Sequence, residues 1–441
     1  MRISTSSSAM DSAALTDAWP ILTPEERMEG FTLLGRVDAE EFFLSLGARD
    51  QVTILEAMQP GERRSWMRLL APDDAADVLQ EAPDELRTEL LNTLDTPTRL
   101  EVSALLAYAE DEAGGLMNPR YLRVRPEMTV DEALLYIRKQ AVQGIQIVNY
   151  AYALDPQSRL QGVVSSRELF VSPSDKQVRE IMHTDIHTVH EDTDQEAVAK
   201  LLEEQSLEAI PVVDNEGRMK GIITVDDIVD VIQEEATEDI QKMGGTAALD
   251  APYLDVGFGT MIRKRGGWLA VLFLGEMLTA TAMGFFEKEI QRAVVLALFV
   301  PLIISSGGNS GSQATTLVIR AMALGEVRLR DWWRVVRREL PAGLTLGTIL
   351  GCIGVLRILL WQAIWGMYGE HYLLVAITVG LSLVGVVTFG TFAGSMLPFL
   401  FRRVGWDPAS ASAPFVATLV DVTGLIIYFT IASILLSGTL L

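Results

Sequence analysis

The hydrophobic residues of this chain are concentrated in its C-terminal part, where five long apolar runs follow one another. Each run can cross the hydrocarbon core of a bilayer as a helix, which takes about 20 residues. The predicted spans are Trp268–Phe286, Ala293–Leu317, Ala342–Trp361, Leu373–Phe399 and Ser412–Leu436. The pattern therefore predicts an α-helical transmembrane domain with five spans over residues 266–441.

The residues before the first apolar run have the mixed polar pattern of soluble domains. Residues 1–14 are predicted to be disordered, and residues 15–115 to form short helices whose starts are marked by Pro60, Pro72, Pro83 and Pro97. Proline is favoured in the first turn of a helix. Helix starts about every dozen residues predict an all-α superhelical domain built from stacked helices.

An internal repeat occupies residues 116–235, with one copy at about 117–173 and the other at about 182–235. Each copy reads as an extended segment, a helix (Val130–Gln140 or Glu196–Glu204), two apolar strands and a turn into a second helix. The copies close with GVVSSREL from Gly162 and GIITVDDI from Gly221. This doubled β-α-β-β-α order resembles an α/β pair of CBS domains, which implies a regulatory role.

The same resemblance implies a nucleotide site. Thr224 and Asp227 match the hydroxyl and the acid that CBS domains use on phosphate and ribose, so ATP or another adenine nucleotide is a candidate ligand. In the first copy Glu168 stands in the position of that acid, which makes a nucleotide site there less expected.

Charge is segregated along the chain in a way that predicts its orientation. The residues before Ile262 include 49 acidic and 22 basic residues, whereas 9 acidic and 14 basic residues follow. Basic clusters precede the first span and lie between the second and third and between the fourth and fifth. Their members are Arg263, Lys264, Arg265, Arg320, Arg328, Arg330, Arg334, Arg337, Arg338, Arg402 and Arg403. By the positive-inside rule the N-terminus is cytosolic and the C-terminus outside, in an inner (plasma) membrane.

The acidic half argues against nucleic acid as a partner and favours cations. A connecting helix and linker are predicted over residues 236–265, and acids crowd the residues on either side of its start. These are Asp226, Asp227, Asp230, Glu234, Glu235, Glu238 and Asp239. Asp230, Glu234 and Glu238 would form one stripe on a helix, where like charges repel. A hard divalent cation would relieve this repulsion, so these acids, with Asp73 and Asp77, are candidate regulatory metal ligands.

Polar residues interrupt the second span, which reads PLIISSGGNSGSQATT from Pro301. Close packing of helices explains Gly307 and Gly308, but it does not explain Asn309 or Gln313. Irregular polar sequence at membrane depth is expected where it lines a water-filled cavity. We therefore favour pore lining over packing for this stretch.

Acids mark the other spans. Asp421 lies nine residues, or about 14 Å, into the fifth span, and an intramembrane carboxylate indicates a functional site. Arg357 is the one candidate basic partner and lies near the outer end of the third span, so a bound cation is the expected counter-charge. Glu276 is a second acid, in the first span, and Asp407 precedes the fifth.

This order of domains resembles the MgtE family of Mg²⁺ channels over almost the whole chain. The specific marks are GGNSGSQ from Gly307, DPASASAPFVATLVDVTG from Asp407, and EATEDIQKMGG from Glu235, which is similar to the family's plug helix. The resemblance implies a homodimer whose second and fifth spans form a pore for hydrated Mg²⁺, closed by cytosolic Mg²⁺.

The resemblance also implies individual roles. Asp421 would be the filter acid, Asn309 would line the pore, and Asp407 would lie at its cytosolic mouth. Ala413 stands where some members carry asparagine, so the inner ion site is expected to lack one polar ligand.

Three other functions would each need different features of the sequence. An anion channel would need basic residues facing the pore, which the sequence does not offer. A membrane metalloprotease would need an HEXXH motif within a span, and no span of the sequence contains one. A Na⁺-coupled exchanger on the same fold stays open, as does selectivity among Mg²⁺, Mn²⁺, Co²⁺ and Ca²⁺.

Overall fold

The structure is a computed structural model that describes residues 12–141, 149–249, 251, 253–254 and 256–439. The chain divides into two compact units between Gln233 and Glu234. The predicted order of an all-α domain, a doubled α/β repeat and a helical region with five candidate membrane helices is confirmed in the described residues.

The first unit begins with a series of short helices. They are α1 Ser12–Ala18, α2 Pro24–Thr32, α3 Arg36–Leu44, α4 Ala48–Ala57, α5 Pro60–Met67, α6 Pro72–Glu81, α7 Asp84–Thr93, α8 Thr96–Leu105 and α9 Ala113–Leu116. Pro60 and Pro72 occupy first turns and Pro83 is the N-cap of α7, which confirms the predicted starts. The predicted disordered start is wrong for residues 12–14, because α1 begins at Ser12 and buries Leu15; residues 1–11 lie outside the described residues.

The repeat follows as two three-stranded sheets with flanking helices. The first copy contains β1 Leu122–Val124, α10 Val130–Ala141, β2 Tyr150–Leu154, β3 Leu160–Ser165, α11 Ser166–Val171 and α12 Val178–Ile181. The second contains β4 Val189–His190, α13 Gln195–Gln205, β5 Ala209–Val213, β6 Met219–Thr224 and α14 Val225–Met243. In each sheet the first strand pairs parallel with the second, and the second pairs antiparallel with the third.

The two copies hold each other through the residues that mark the repeat. A Cβ on Gly162 would overlap Met182, and a Cβ on Gly221 would lie 2.8 Å from Asn118 O and from Met117 Cγ. The methionine that opens each copy therefore packs on the glycine of the other copy.

The second unit consists of the end of α14 and the apolar helices. These are α15 Phe258–Phe285, α16 Glu287–Arg292, α17 Val294–Ala297, α18 Val300–Ala323, α19 Trp332–Trp365, α20 Tyr372–Val404 and α21 Ala413–Leu436. Within the described residues, five helices are long and apolar enough to cross a membrane, at Phe258–Phe285, Val294–Ala323, Leu329–Trp365, Tyr372–Val404 and Ala413–Leu436.

The predicted connecting helix has different bounds. Helix α14 starts inside the second repeat and ends at Met243, before Gly245 with φ of +75°. Glycine tolerates this left-handed conformation and commonly ends helices. Helix α15 then begins ten residues before the predicted first span, because Arg263 and its basic neighbours extend it, and long charged side chains are good helix formers.

Candidate functional site

Helix α18 has two faces of different character. Gly307 and Gly311 face α20. The two helices are so close that a Cβ on Gly390 would overlap the carbonyl oxygen of Gly307, and a Cβ on Gly394 would overlap that of Gly311. The opposite face carries polar side chains that are exposed in the single chain. They are Ser305, Asn309, Gln313 and Thr316. With steps of four, four and three residues they form one polar stripe along the helix.

Asp421 and Glu276 come together from α21 and α15, which the sequence did not predict. The two carboxyl groups lie close enough for the charge of Glu276 to act on Asp421. The helices approach closely because Gly275 leaves no Cβ between them, where one would lie 2.8 Å from Thr418 Cγ2. No basic side chain pairs with either carboxylate among the described residues. Arg357 instead stacks on Phe299 and Trp361, with its guanidinium carbon 5.7 and 5.4 Å from the ring centroids.

The register of α18 against α21 locates Asp421 relative to the polar stripe of α18. Ser312 Oγ donates to the carbonyl of Ala413 at 3.2 Å, and a Cβ on Gly308 would lie 3.6 Å from Ala417. The helices run in opposite directions, so Asp421, one turn beyond Ala417, is level with Ser305. Asn309 lies about one turn away along the axis, and its amide Nδ2 is 3.5 Å from Ser305 Oγ.

Gly307 and Gly308 were predicted as pore residues and are buried in helix contacts. A Cβ on Gly307 would lie 2.8 Å from Val420 Cγ1, whereas a Cβ on Gly308 meets nothing closer than 3.6 Å. Packing accounts for Gly307. A role of either backbone in ion passage stays a prediction.

Asp407 makes a contact that the sequence did not indicate. Lys242, in the last turn of α14, places Nζ 2.6 Å from Asp407 Oδ2 and also pairs with Glu238. Partial burial opposes the charge on Lys242, but the two carboxylates outweigh it and raise the pKa of the ammonium group. Beside this pair, Trp268 Nε1 donates to Ser412 Oγ at 3.2 Å, and Gly245 packs against Trp268 and Pro414. The end of α14 is therefore fixed to the start of the fifth span.

Carboxylates from α6 and from the start of α14 meet within the first unit. Asp73 is only 7% exposed and accepts a hydrogen bond from Asn118 Nδ2 at 3.1 Å. Burial, followed by the charges of Asp74 and Asp227, raises its pKa well above the ordinary range. Burial and the charge of Asp226 raise the pKa of Asp74. Burial raises the pKa of Asp227 to about 6, although Thr224 opposes the shift.

These four residues, Asp73, Asp74, Asp226 and Asp227, are called the α6–α14 acidic cluster below. Asp77 adds to the charge acting on Asp73. Asp73, Asp77, Asp226 and Asp227 are the candidate ligands that the sequence indicated. Asp74 was not among them, and its position next to Asp73 in the first turn of α6 was the available signal. No group of three or more acidic, histidine or cysteine side chains in the described part of the chain has metal-binding geometry.

The remaining acids of the predicted stripe lie along α14: Asp230, Glu234, Glu235, Glu238 and Asp239. Glu238 is held by Lys242. Their role as metal ligands stays a prediction.

The tentative nucleotide residues form a helix cap. Thr224 donates to Asp227 Oδ2 from its backbone nitrogen at 3.0 Å and from its hydroxyl at 2.8 Å. In the first copy Ser165 and Glu168 repeat this arrangement, and His183 Nε2 lies 2.6 Å from Glu168 Oε1. The acid of the first copy is thus engaged by a histidine, whereas no histidine contacts Asp227 among the described residues.

Family models match the N-terminal helices, the repeat and most of the membrane helices. The family model described as "Divalent cation transporter" matches residues 300–431, that of the MgtE intracellular N domain matches 10–111, and that of the CBS domain matches 113–173 and 178–234.

The similarity to individual proteins extends over most of this chain. The magnesium transporter MgtE of Thermus thermophilus is 42% identical over 423 residues, covering 95% of this chain and 92% of that protein. The MgtE of Enterococcus faecalis is 32% identical, covering 76% of this chain and 71% of that protein. Among solved structures, the cytosolic domain of the Mg²⁺ channel MgtE in complex with ATP is 41% identical, with a TM-score of 0.47, covering 50% of this chain and 90% of that one.

Proposed function

This chain belongs to the MgtE family of magnesium transporters, and we propose that it carries Mg²⁺ as a homodimeric channel that cytosolic Mg²⁺ closes. The family assignment makes it a multi-pass membrane protein that transports Mg²⁺, not an enzyme. The channel mechanism, the dimer and the gating are the parts proposed here.

The observation that carries the channel proposal is the Glu276–Asp421 pair inside the apolar spans. Two carboxylates without a basic partner among the described residues repel each other in a medium that penalises charge. A divalent cation would remove both penalties at once. Mg²⁺ keeps several of its waters and is usually bound through one or two carboxylates, so this pair suits the hydrated ion.

The polar stripe of α18 supports a dimer. Asn309 and Gln313 point away from α20 and α21 and are exposed in one chain, although such groups are unfavourable against lipid. In a two-fold symmetric dimer the same surface occurs on both subunits. Two stripes and two Asp421–Glu276 pairs would then enclose one hydrated path.

Gating is assigned to the acidic groups of the cytosolic half. Burial first, and then the neighbouring carboxylates, raises the pKa values of Asp73 and Asp227, so at low Mg²⁺ the ionised α6–α14 acidic cluster is unfavourable. Mg²⁺ would neutralise the cluster and the acids along α14. The Lys242–Asp407 contact would pass a shift of α14 to the start of the fifth span.

ATP or a related adenine nucleotide is proposed as a ligand of Thr224 and Asp227, tuning the response to Mg²⁺. The cap geometry supports this, since it holds the Asp227 carboxylate beside the Thr224 hydroxyl at the start of α14. A carboxylate can accept from ribose hydroxyls and a hydroxyl can donate to phosphate. Calorimetry on the full chain should give heat with ATP and none with the Asp227→Ala variant. No heat with any adenine nucleotide would remove the proposal.

Orientation is proposed from the positive-inside rule, with the N-terminus cytosolic and the C-terminus outside the inner membrane. Protease added to the outside of intact cells should then leave the N-terminal half uncut.

Divalent-resolved flux in liposomes tests the proposed function. Mg²⁺ should cross down its own gradient with no Na⁺ present, and the Asp421→Asn variant should not carry it. Transport that requires an imposed Na⁺ gradient would instead favour the exchanger. Comparing Mn²⁺, Co²⁺ and Ca²⁺ in the same assay would establish selectivity.

A further inference from the structure

A groove between α19 and α20 lies away from the candidate ion path. It has a volume of about 340 Å³ and is lined by Leu340, Leu344, Val384, Gly385, Thr388, Phe389 and Phe392. Leu344 is 47% exposed and Phe392 38% exposed, so the groove opens at the surface of the chain. Thr388 is its one polar residue, and its hydroxyl donates to the Val384 carbonyl at 2.6 Å. An occupant would therefore be apolar.

The groove exists because the two helices touch through their backbones. A Cβ on Gly347 would lie 2.8 Å from Val384 Cα, and one on Gly343 would lie 3.0 Å from Thr388 Cα. Such close approach is typical of small residues between membrane helices. The larger side chains beside this backbone contact, Leu344 and Phe392 among them, form the walls of the groove. No neighbouring helix of the described chain fills the space between these walls.

One end of the groove carries a positive charge that is held in place. Trp333, Arg337, Leu340 and Leu344 follow at steps of four, three and four residues, so they share one face of α19. The Arg337 guanidinium carbon lies 5.5 Å from the centroid of the Trp333 ring. No carboxylate pairs with Arg337 in the described part of the chain, whereas Arg334 pairs with Asp331 at 3.0 Å.

We propose that this groove binds an anionic phospholipid, with an acyl chain between α19 and α20 and its phosphate on Arg337. The charged end lies where the apolar part of α19 begins, which is the depth of lipid headgroups. Tryptophan is enriched at that depth, and guanidinium binds phosphate through two parallel hydrogen bonds. Basic pockets between membrane helices are a recognised type of headgroup site.

Charge complementarity favours a lipid over a second copy of the chain as the occupant. Arg328, Arg330 and Arg338 surround the same end of α19, so two copies meeting here would bring like charges together. An anionic headgroup would instead be attracted by all of them.

Native mass spectrometry of the full chain in detergent tests the site, with phosphatidylglycerol and phosphatidylcholine of identical acyl chains as probes. The chain should retain phosphatidylglycerol preferentially. Arg337→Gln should weaken that retention about fivefold, the effect of one basic residue near the membrane surface. Leu344→Trp should fill the groove and reduce retention of both lipids. Arg263→Gln, a basic residue that also precedes a span but lies on α15, is the matched control and should bind as the unchanged chain does.

Thermal unfolding in lipid-free detergent should show that Arg337→Gln and Leu344→Trp are folded. Unchanged retention of phosphatidylglycerol in Arg337→Gln would overturn the proposal. Equal competition by soluble glycerol phosphate would also overturn it, because the headgroup alone would then suffice. A change of oligomeric state in Leu344→Trp without a change in lipid retention would assign the groove to a second copy.

Discussion

Asp421 is the residue on which ion passage is expected to depend most. Its neighbour Glu276 adds charge at the same point, and no basic side chain pairs with either among the described residues. Asp421→Asn keeps the shape and removes the charge, so it should reduce Mg²⁺ flux to background without changing expression or dimerisation. Glu276→Gln should reduce flux less, because Asp421 remains. Normal Mg²⁺ flux through Asp421→Asn in liposomes would show that the electrostatic role is misassigned.

The α6–α14 acidic cluster predicts a dependence of stability on pH. Burial, aided by neighbouring carboxylates, raises the pKa values of Asp73, Asp74 and Asp227 in the folded protein, to about 6 for Asp227. The folded state therefore holds more protons than the unfolded state between pH of about 4 and about 6. The cluster's contribution is most favourable at low pH and declines as pH rises through this window. Without divalent ions, the first unfolding transition should occur at higher temperature at pH 5 than at pH 7.

Mg²⁺ should reduce this difference, because at pH 7 it replaces the missing protons as counter-charge. The Asp73→Asn and Asp74→Asn double variant is the control, since it removes two of the charges and should flatten both the pH and the Mg²⁺ response. A double variant that responds as the unchanged chain does would place the titrating groups elsewhere.

At the scale of elements, the two adjacent glycines of α18 offer a matched test of helix packing. A Cβ on Gly307 would lie 2.5 Å from Val386 Cγ1, whereas one on Gly308 has ordinary contact at 3.6 Å. Gly307→Ala should therefore destabilise the membrane unit by about 1–3 kcal/mol, as overpacking does, while Gly308→Ala should be tolerated. Thermal unfolding in detergent measures both. Equal effects would mean that the α18–α20 contact is looser than the structure indicates.

Helix α14 is expected to act on the fifth span through Lys242. Lys242→Gln removes the charge that holds Asp407 Oδ2 at 2.6 Å. Flux should then persist at cytosolic Mg²⁺ concentrations that close the unchanged channel, with the open-state flux unaffected. Arg263→Gln, an exposed basic residue near the start of α15, is the control. Inhibition by Mg²⁺ that is the same in Lys242→Gln would exclude the contact from gating.

The sequence predicts elements better than contacts, for physical reasons. Pro60 and Pro72 mark helix starts because proline fits the first turn whatever lies around it. Apolar runs predict spans for the same local reason. The contacts of the sites depend on packing between distant segments: Lys242 meets Asp407 across 165 residues, and Glu276 reaches Asp421 because Gly275 lets α15 approach.

At the scale of the whole molecule, the surplus of negative charge lies in the half before the membrane spans, which has 49 acidic and 22 basic residues. The proposed sensor depends on this surplus. Neutralising Glu234, Glu235, Glu238 and Asp239 together should abolish or shift closure by Mg²⁺ and the protection from protease that Mg²⁺ confers, while the pore still conducts. Unchanged inhibition in this variant would leave the sensor in the α6–α14 acidic cluster alone.

The most direct test of the central claim is tracer Mg²⁺ flux through the purified chain in liposomes, with Mg²⁺ varied on the side of the N-terminal half. A channel closed by its own ion should carry Mg²⁺ without Na⁺ or any other driving ion. Its flux should fall steeply as Mg²⁺ on that side rises through about 10⁻⁴–10⁻³ M, the range of loosely caged oxygen sites. Flux that needs a Na⁺ gradient, or that rises and saturates with Mg²⁺ on that side without closing, would contradict the account.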